Sequence, residues 1–220
     1  MKYTKIILIG AILVFVTVLA SAFDVTIGIK GGVGYPFYSG SDYEAVLAAG
    51  ASTKFRLGYS AGAFVTLGII NWLAIQPEIM YSSLGGNFGD SSSTWYDRAN
   101  VIEIPLLLKL RLKMGSLRIC PFAGADVLLK IGDWNFEVKD NAGNVLMSGT
   151  WNNQYLRVPI IGAPVGVGFD IPVGRGWVTI EARYLIGIMN RFTDDNPAGY
   201  TDWRQNAIQV LVGYGFAVVK

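Results

Sequence analysis

Four groupings of side chains in this chain could do chemistry. Glu78 with Glu181, or Glu103 with Asp126, could supply the acid and the base of a proton-transfer mechanism, because two carboxylates in unequal surroundings suffice for that task. Asp194, Asp195, Asn196 and Asp202 are oxygen donors, but their spacing matches no calcium loop and reads as a solvated tip. The glycine-rich pieces Gly31-Gly32-Val33-Gly34 and Gly166-Val167-Gly168 could cradle a phosphate only if a helix followed, and no helical pattern does. Cys120 is the only cysteine, which excludes an intrachain disulfide, a thiolate zinc cluster and an iron–sulfur site. Nor is there a histidine anywhere in the 220 residues. Serine–histidine triads are therefore excluded, and the commonest metal ligand is missing. No catalytic residue, cofactor or metal is expected, and the carboxylate pairs read more simply as members of structural ion pairs.

The elements that would position these groups have a period of two. From Arg56 to Ile69 the odd positions are Leu57, Tyr59, Ala61, Ala63, Val65, Leu67 and Ile69, while the even ones are mostly Gly, Ser and Thr. A helix would mix the two sets around its circumference. The same alternation recurs in Val25 to Tyr35, Leu73 to Ser83, Ile102 to Lys113, Leu117 to Ile131, Val178 to Ile186 and Ile208 to Val218. Between Leu156 and Ile171 it slips by one residue near Gly162, where a β-bulge is expected to restore the facing. That makes eight strands.

The connections alternate in length. Residues 36–55, 85–100, 132–154 and 189–205 read as long polar loops, whereas Ile70-Asn71-Trp72, Met114-Gly115-Ser116 and Pro172 to Gly176 read as tight turns. All long loops fall at one end of a meander and all short turns at the other. This asymmetry, with an even strand count, predicts an all-β fold: an eight-stranded antiparallel up-and-down transmembrane β-barrel of the outer membrane of a diderm bacterium. The chain is 52% hydrophobic and only 15% charged, yet beyond the N-terminus it has no apolar run long enough for a spanning helix. Two early lysines, the aliphatic stretch Ile6 to Leu19 and Ala20-Ser21-Ala22 predict a cleaved signal peptide at 1–22, with the barrel domain at 23–220. Removing Lys2 and Lys5 from 18 basic residues balances the 16 acidic ones, so a nucleic-acid partner is not expected.

Alternation alone does not say which face meets lipid. The polar face is heavy in glycine, as suits a crowded lumen, and the apolar face of the seven regular strands carries no charge. Tyr35, Tyr59, Tyr81, Tyr184, Tyr214, Phe169 and Phe216 sit on the apolar face near strand ends, as interfacial girdles require. The inward set then includes Lys30, Glu78, Lys109, Arg111, Glu181 and Arg183 nearer the short turns, Arg56, Glu103, Asp126 and Lys130 nearer the loops, and Arg118. Lone charges in so narrow a space are costly, so a lumenal charge network is expected, with Glu78 meeting Lys109 or Arg111 on the neighbouring strand.

At this point the chain resembles the small outer-membrane β-barrel proteins, the porin-family or outer membrane protein beta-barrel domain proteins. The residues that carry the likeness are Gln76-Pro77-Glu78-Ile79-Met80-Tyr81-Ser82, Glu103-Ile104-Pro105-Leu106-Leu107-Leu108-Lys109, Pro121-Phe122-Ala123-Gly124, Gly166-Val167-Gly168-Phe169 and Glu181-Ala182-Arg183-Tyr184, in order over most of the mature chain. The resemblance implies a monomeric barrel, surrounded by outer-membrane lipid, whose last strand is recognised by the outer-membrane assembly machinery. Many such barrels end on an aromatic residue; this one continues from Phe216 to Lys220.

Three functions fit these residues. The favoured one is a non-enzymatic envelope or surface protein whose four long loops contact an extracellular or envelope partner. Trp95, Tyr96, Trp134, Trp151, Tyr200 and Trp203 are then candidate loop contacts, since aromatics dominate binding hot spots. An upper girdle or simple loop packing accounts for them equally well. The alternatives are a narrow porin-like channel for small solutes or ions, and a barrel that binds an apolar ligand or acts as an unrecognised enzyme.

Overall fold

A computed structural model describes residues 24–219. The signal peptide expected at 1–22 lies outside them. Eight strands close into a ring: β1 (Asp24–Ser39), β2 (Gly58–Ile70), β3 (Leu73–Gly89), β4 (Ser93–Leu110), β5 (Leu117–Asp140), β6 (Ile160–Val173), β7 (Gly176–Gly187) and β8 (Arg204–Val219). Each pairs antiparallel with the next, and β1 closes on β8 through registers such as Ile29↔Tyr214. Closure leaves no sheet edge, the only way for strands to satisfy their backbone in hydrocarbon.

Facing follows the period of two. Leu106 and Leu108 are 54% and 51% exposed, whereas Leu107 between them is fully buried. Ile27, Ile29, Val65, Ile79, Ile104, Ile180 and Val212 join the exterior belt. An apolar surface of this extent would aggregate in water and is the natural partner of lipid. At its upper margin Tyr35 stacks on Phe37 and Phe55 at 5.4 and 5.6 Å, and Tyr59 lies 6.1 Å from Tyr81. Trp72, Phe169, Tyr214 and Phe216, all exposed, mark the lower margin beside the short turns. Leu106→Arg is expected to cost about 2–4 kcal/mol in vesicle folding titrations with urea, against nearly nothing for Ser148→Arg outside the belt. Equal tolerance at the two sites would contradict the facing.

The upper half departs from the expected long loops. β3, β4 and β5 continue past the belt, so 85–100 is mostly a β-hairpin with a tip at 90–92. Likewise 132–140 extends β5, and Val145–Thr150 pairs with it. Alternation fades there because both faces are wet, but backbone pairing does not depend on it. At the tip Asp90 accepts from the Ser92 hydroxyl and from the amides of Ser92 and Ser93. These bonds hold its carboxyl below the usual range, at about 2. The first loop contains a helix, α1 (Ser41–Ala48), where a plain loop was expected.

Near Gly162 the expected bulge is absent: the registers of β6 with β5 and β7 run evenly through Gly162. The strand starts at Ile160, and Leu156 belongs to the preceding loop, bridged to Phe192. The slip in the sequence is thus a strand boundary. A real irregularity lies in β5, whose register with β4 jumps from Asn100↔Ile131 to Arg98↔Asn135. Gly132 there takes φ +65°, which its lack of a Cβ permits.

Candidate functional site

The lumen is filled at two heights. In the lower half Lys30 from β1 reaches Glu78 on β3 at 2.6 Å and Glu181 on β7 at 2.7 Å. Arg183 donates to both carboxylates at 3.1 Å, and Lys109 reaches Glu181 at 3.3 Å and Asp170 at 3.4 Å. Gln76 donates to Glu78 at 2.7 Å and accepts from Thr66 at 2.8 Å. Three cations thus face three carboxylates from five strands. Space for them comes from glycine: Lys30 is flanked by Gly62 and Gly213 in the ladder. Gly28 and Gly166 leave room for the Phe64 and Phe122 rings, which a Cβ at either position would strike.

The expected pairing of Glu78 with Lys109 or Arg111 does not form. Lys109 stands opposite Ala74, four residues below Glu78 along β3, so the lumen's narrow diameter brings partners from across the barrel closer than those on the adjacent strand. Arg111 instead binds Asp24 at 2.8 Å and the Ile70 carbonyl at the lower mouth. Arg118 lies 3.8 Å from the Trp177 ring centre in the same region. Asp170, which joins the network, was not among the candidates, although it follows the outward Phe169 and the period of two turns it inward.

Four other candidates stand apart from this network. Arg56, just before β2, donates to the Ser83 carbonyl and hydroxyl at 3.3 and 2.9 Å and has no carboxylate partner among the described residues. Lys130 binds the side chain of Asn153. Glu103 and Asp126 face the lumen from the adjacent strands β4 and β5. Both are buried, and Glu103 Oε1 and the two Asp126 oxygens have no donor. Each is only 1% exposed. Cys120 is buried, and its thiol donates to Asp170 at 3.2 Å.

The upper closure was not foreseen. Arg191, fully buried, donates to Asp97 at 2.8 Å, and Tyr38 donates to the same oxygen at 2.7 Å. The guanidinium lies 3.9 Å from the Trp134 ring centre, 4.8 Å from Tyr38 and 4.9 Å from Phe192. Around this group pack Trp203, Tyr43 of α1, Phe88, Trp151 and Tyr200. Burial raises the Tyr43 phenol, an effect opposed by its bond with Thr53. A cavity of about 210 Å³ remains among Val46, Phe88, Trp151 and Trp203.

Most of the candidate loop contacts therefore serve this plug. Trp134 and Trp203 are buried, Trp151 and Tyr200 are half-buried in the same cluster, and the half-buried Trp95 lies 6.4 Å from Trp151. Trp95, Tyr96 and Trp134 lie on strands β4 and β5, not on loops. Only Tyr96 turns to the outer wall, beneath Lys139. The barrel mouth offers the other rings a drier place than the water above it. Asp97 and Arg191 lay in stretches without periodicity, so no pattern singled them out.

The sequence profile of the outer membrane protein beta-barrel domain matches residues 21–193. The chain belongs to this family. The match spans β1 to β7, and it places the barrel in the outer membrane with its apolar belt in lipid. Short turns of such barrels face the periplasm, so the plugged, hairpin-bearing end is extracellular. Solved barrels resemble this family member in fold. They include the attachment invasion locus protein Ail of Yersinia pestis (12% identity, 88% of this chain and 99% of that one, TM-score 0.44) and Neisserial surface protein A (14%, 87% and 96%, 0.44). OprG of Pseudomonas aeruginosa is a third (10%, 90% and 98%, 0.46). No curated protein sequence matches the chain.

Proposed function

We propose that this protein is a non-enzymatic outer-membrane scaffold, a closed barrel that holds its extracellular rim rigidly for interaction at the cell surface. The observation that carries the reading is the double occlusion of the lumen, by the ion network around Glu78 and Glu181 and by the aromatic plug around Arg191. Each side chain is paired across the barrel, so neither layer opens without breaking buried charge contacts. In planar bilayers the purified protein is expected to show no stable unitary conductance. Steps of constant size would instead establish the narrow channel.

An apolar-ligand barrel fits less well, because the plug cavity of about 210 Å³ falls below the ~300–1,000 Å³ of small-molecule sites. An enzyme would need to manage without histidine and with its nearest carboxylate pair buried. Residues 1–22 serve as the export signal in this reading, and the barrel inserts as a monomer through recognition of its last strand around Gly213-Tyr214-Gly215-Phe216.

A further inference from the structure

A recess of about 750 Å³ lies in the outer wall just above the apolar belt, and it is separate from the plug. It exists because the β2–β3 ladder stops at Ser60↔Ser82, while β3 finds its next partner on that side only at Asn87, opposite Lys54. Residues 55–57 bow out between these points, with Arg56 bridging to Ser83. The floor is formed by outward residues of β3, β4 and β5. Lower on the same face these strands carry Ile and Leu; here they carry Asn87, Arg98, Asn100 and Asn135.

One of these groups is buried with an open hydrogen-bonding atom. Asn87 is buried, with 8% exposure, and its amide nitrogen donates to the Phe55 carbonyl at 3.1 Å while its Oδ1 accepts nothing. Arg98 and Asn100 are exposed where they line the recess, and among the described residues neither side chain makes a hydrogen bond or ion pair, so both are free to meet a ligand. A buried acceptor left open costs stability unless a ligand donor fills it. Carboxamides and a guanidinium beside the Tyr96 ring supply both donors and acceptors at close range, the combination that vicinal hydroxyls require. Charge argues against a bare phosphate: Asp133 and Glu137 line the recess with Arg56 and Arg98, so cations are not in excess. The rim beneath is Phe55, Leu57 and Tyr59, which are 72%, 64% and 51% exposed at the level of the lipid girdle.

We propose that this recess binds the saccharide headgroup of an outer-leaflet glycolipid, whose acyl chains run down over Leu57 and Tyr59. The assignment rests on the surface-scaffold reading and names the ligand that surface takes. It is tested on the full barrel in a sugar-free amine-oxide detergent, with bound lipid counted by native mass spectrometry. The probes are a purified rough lipopolysaccharide, its deacylated oligosaccharide, and phosphatidylglycerol. Lipopolysaccharide is expected to bind, the oligosaccharide to bind more weakly, and phosphatidylglycerol not to be retained. Arg98→Ala and Asn100→Ala should each weaken both saccharide probes about tenfold, the loss of one good hydrogen bond. Heat-modifiable migration shows that each variant is folded. Absence of saccharide binding, or equal binding by the folded variants, overturns the site. Equal retention of phosphatidylglycerol overturns the headgroup preference, and equal affinity for the deacylated probe overturns the lipid-borne source. A silent bilayer with no glycolipid bound refutes the site and leaves the scaffold standing, whereas a conducting barrel refutes the scaffold itself.

Discussion

Glu78→Ala is expected to lower the folding free energy by about 3–5 kcal/mol, the range for removing one partner of a buried charge pair. The carboxylate accepts from Lys30, Arg183 and Gln76. Its loss leaves Arg183 and Lys30 competing for Glu181 in a space closed to solvent, with three cations facing two carboxylates. Urea titration of folding into lipid vesicles measures the change. Glu78→Gln keeps acceptor and shape, so it should lie between alanine and the wild type. By contrast, the solvent-exposed pair of Glu137 and Lys139 at 2.9 Å is expected to contribute little, because water screens it. If Glu78→Ala cost as little as that surface pair, the network would have to be hydrated and the lumen open.

The second large effect is expected at the plug. Arg191→Ala removes a fully buried cation, leaves Asp97 without its ion partner and opens a void against Trp134. The cost is again about 3–5 kcal/mol, with the lost ring contact included. Asp97 has a second oxygen already lacking a partner, so little compensation is at hand. Arg191→Lys should recover only part of the loss, since an ammonium does not lie flat over an indole as a guanidinium does. Tryptophan fluorescence offers a separate readout: Trp134 and Trp203 should shift to the red as water enters the mouth. An unchanged emission maximum together with wild-type stability would show that Arg191 does not hold the closure.

The two layers differ in how far they could be read from the chain. Period two separates Lys30 from Ile29 and Glu78 from Ile79 without coordinates, because a strand turns successive side chains to opposite faces. It does not say which inward charges meet. Lys109 and Glu78 are on adjacent strands yet belong to different levels, and Arg183 reaches Glu78 from the far wall. Such contacts depend on the diameter and stagger of the closed ring, which are properties of all eight strands together. The plug was less legible still. Asp97, Trp134 and Arg191 come from three extramembrane stretches in which both faces are polar or mixed, so alternation carries no signal there.

By itself, then, the order of residues determined strand number, facing, the lipid belt and the end that bears the long connections, since each follows from local periodicity and turn chemistry. Folding in three dimensions decided how the lumenal charges pair, where the aromatic side chains close the mouth, and where the outer wall opens into a recess. Those outcomes require ring closure to set distances between residues far apart in the chain, such as Lys30 and Glu181, 151 positions apart. No short-range pattern encodes a distance of that kind.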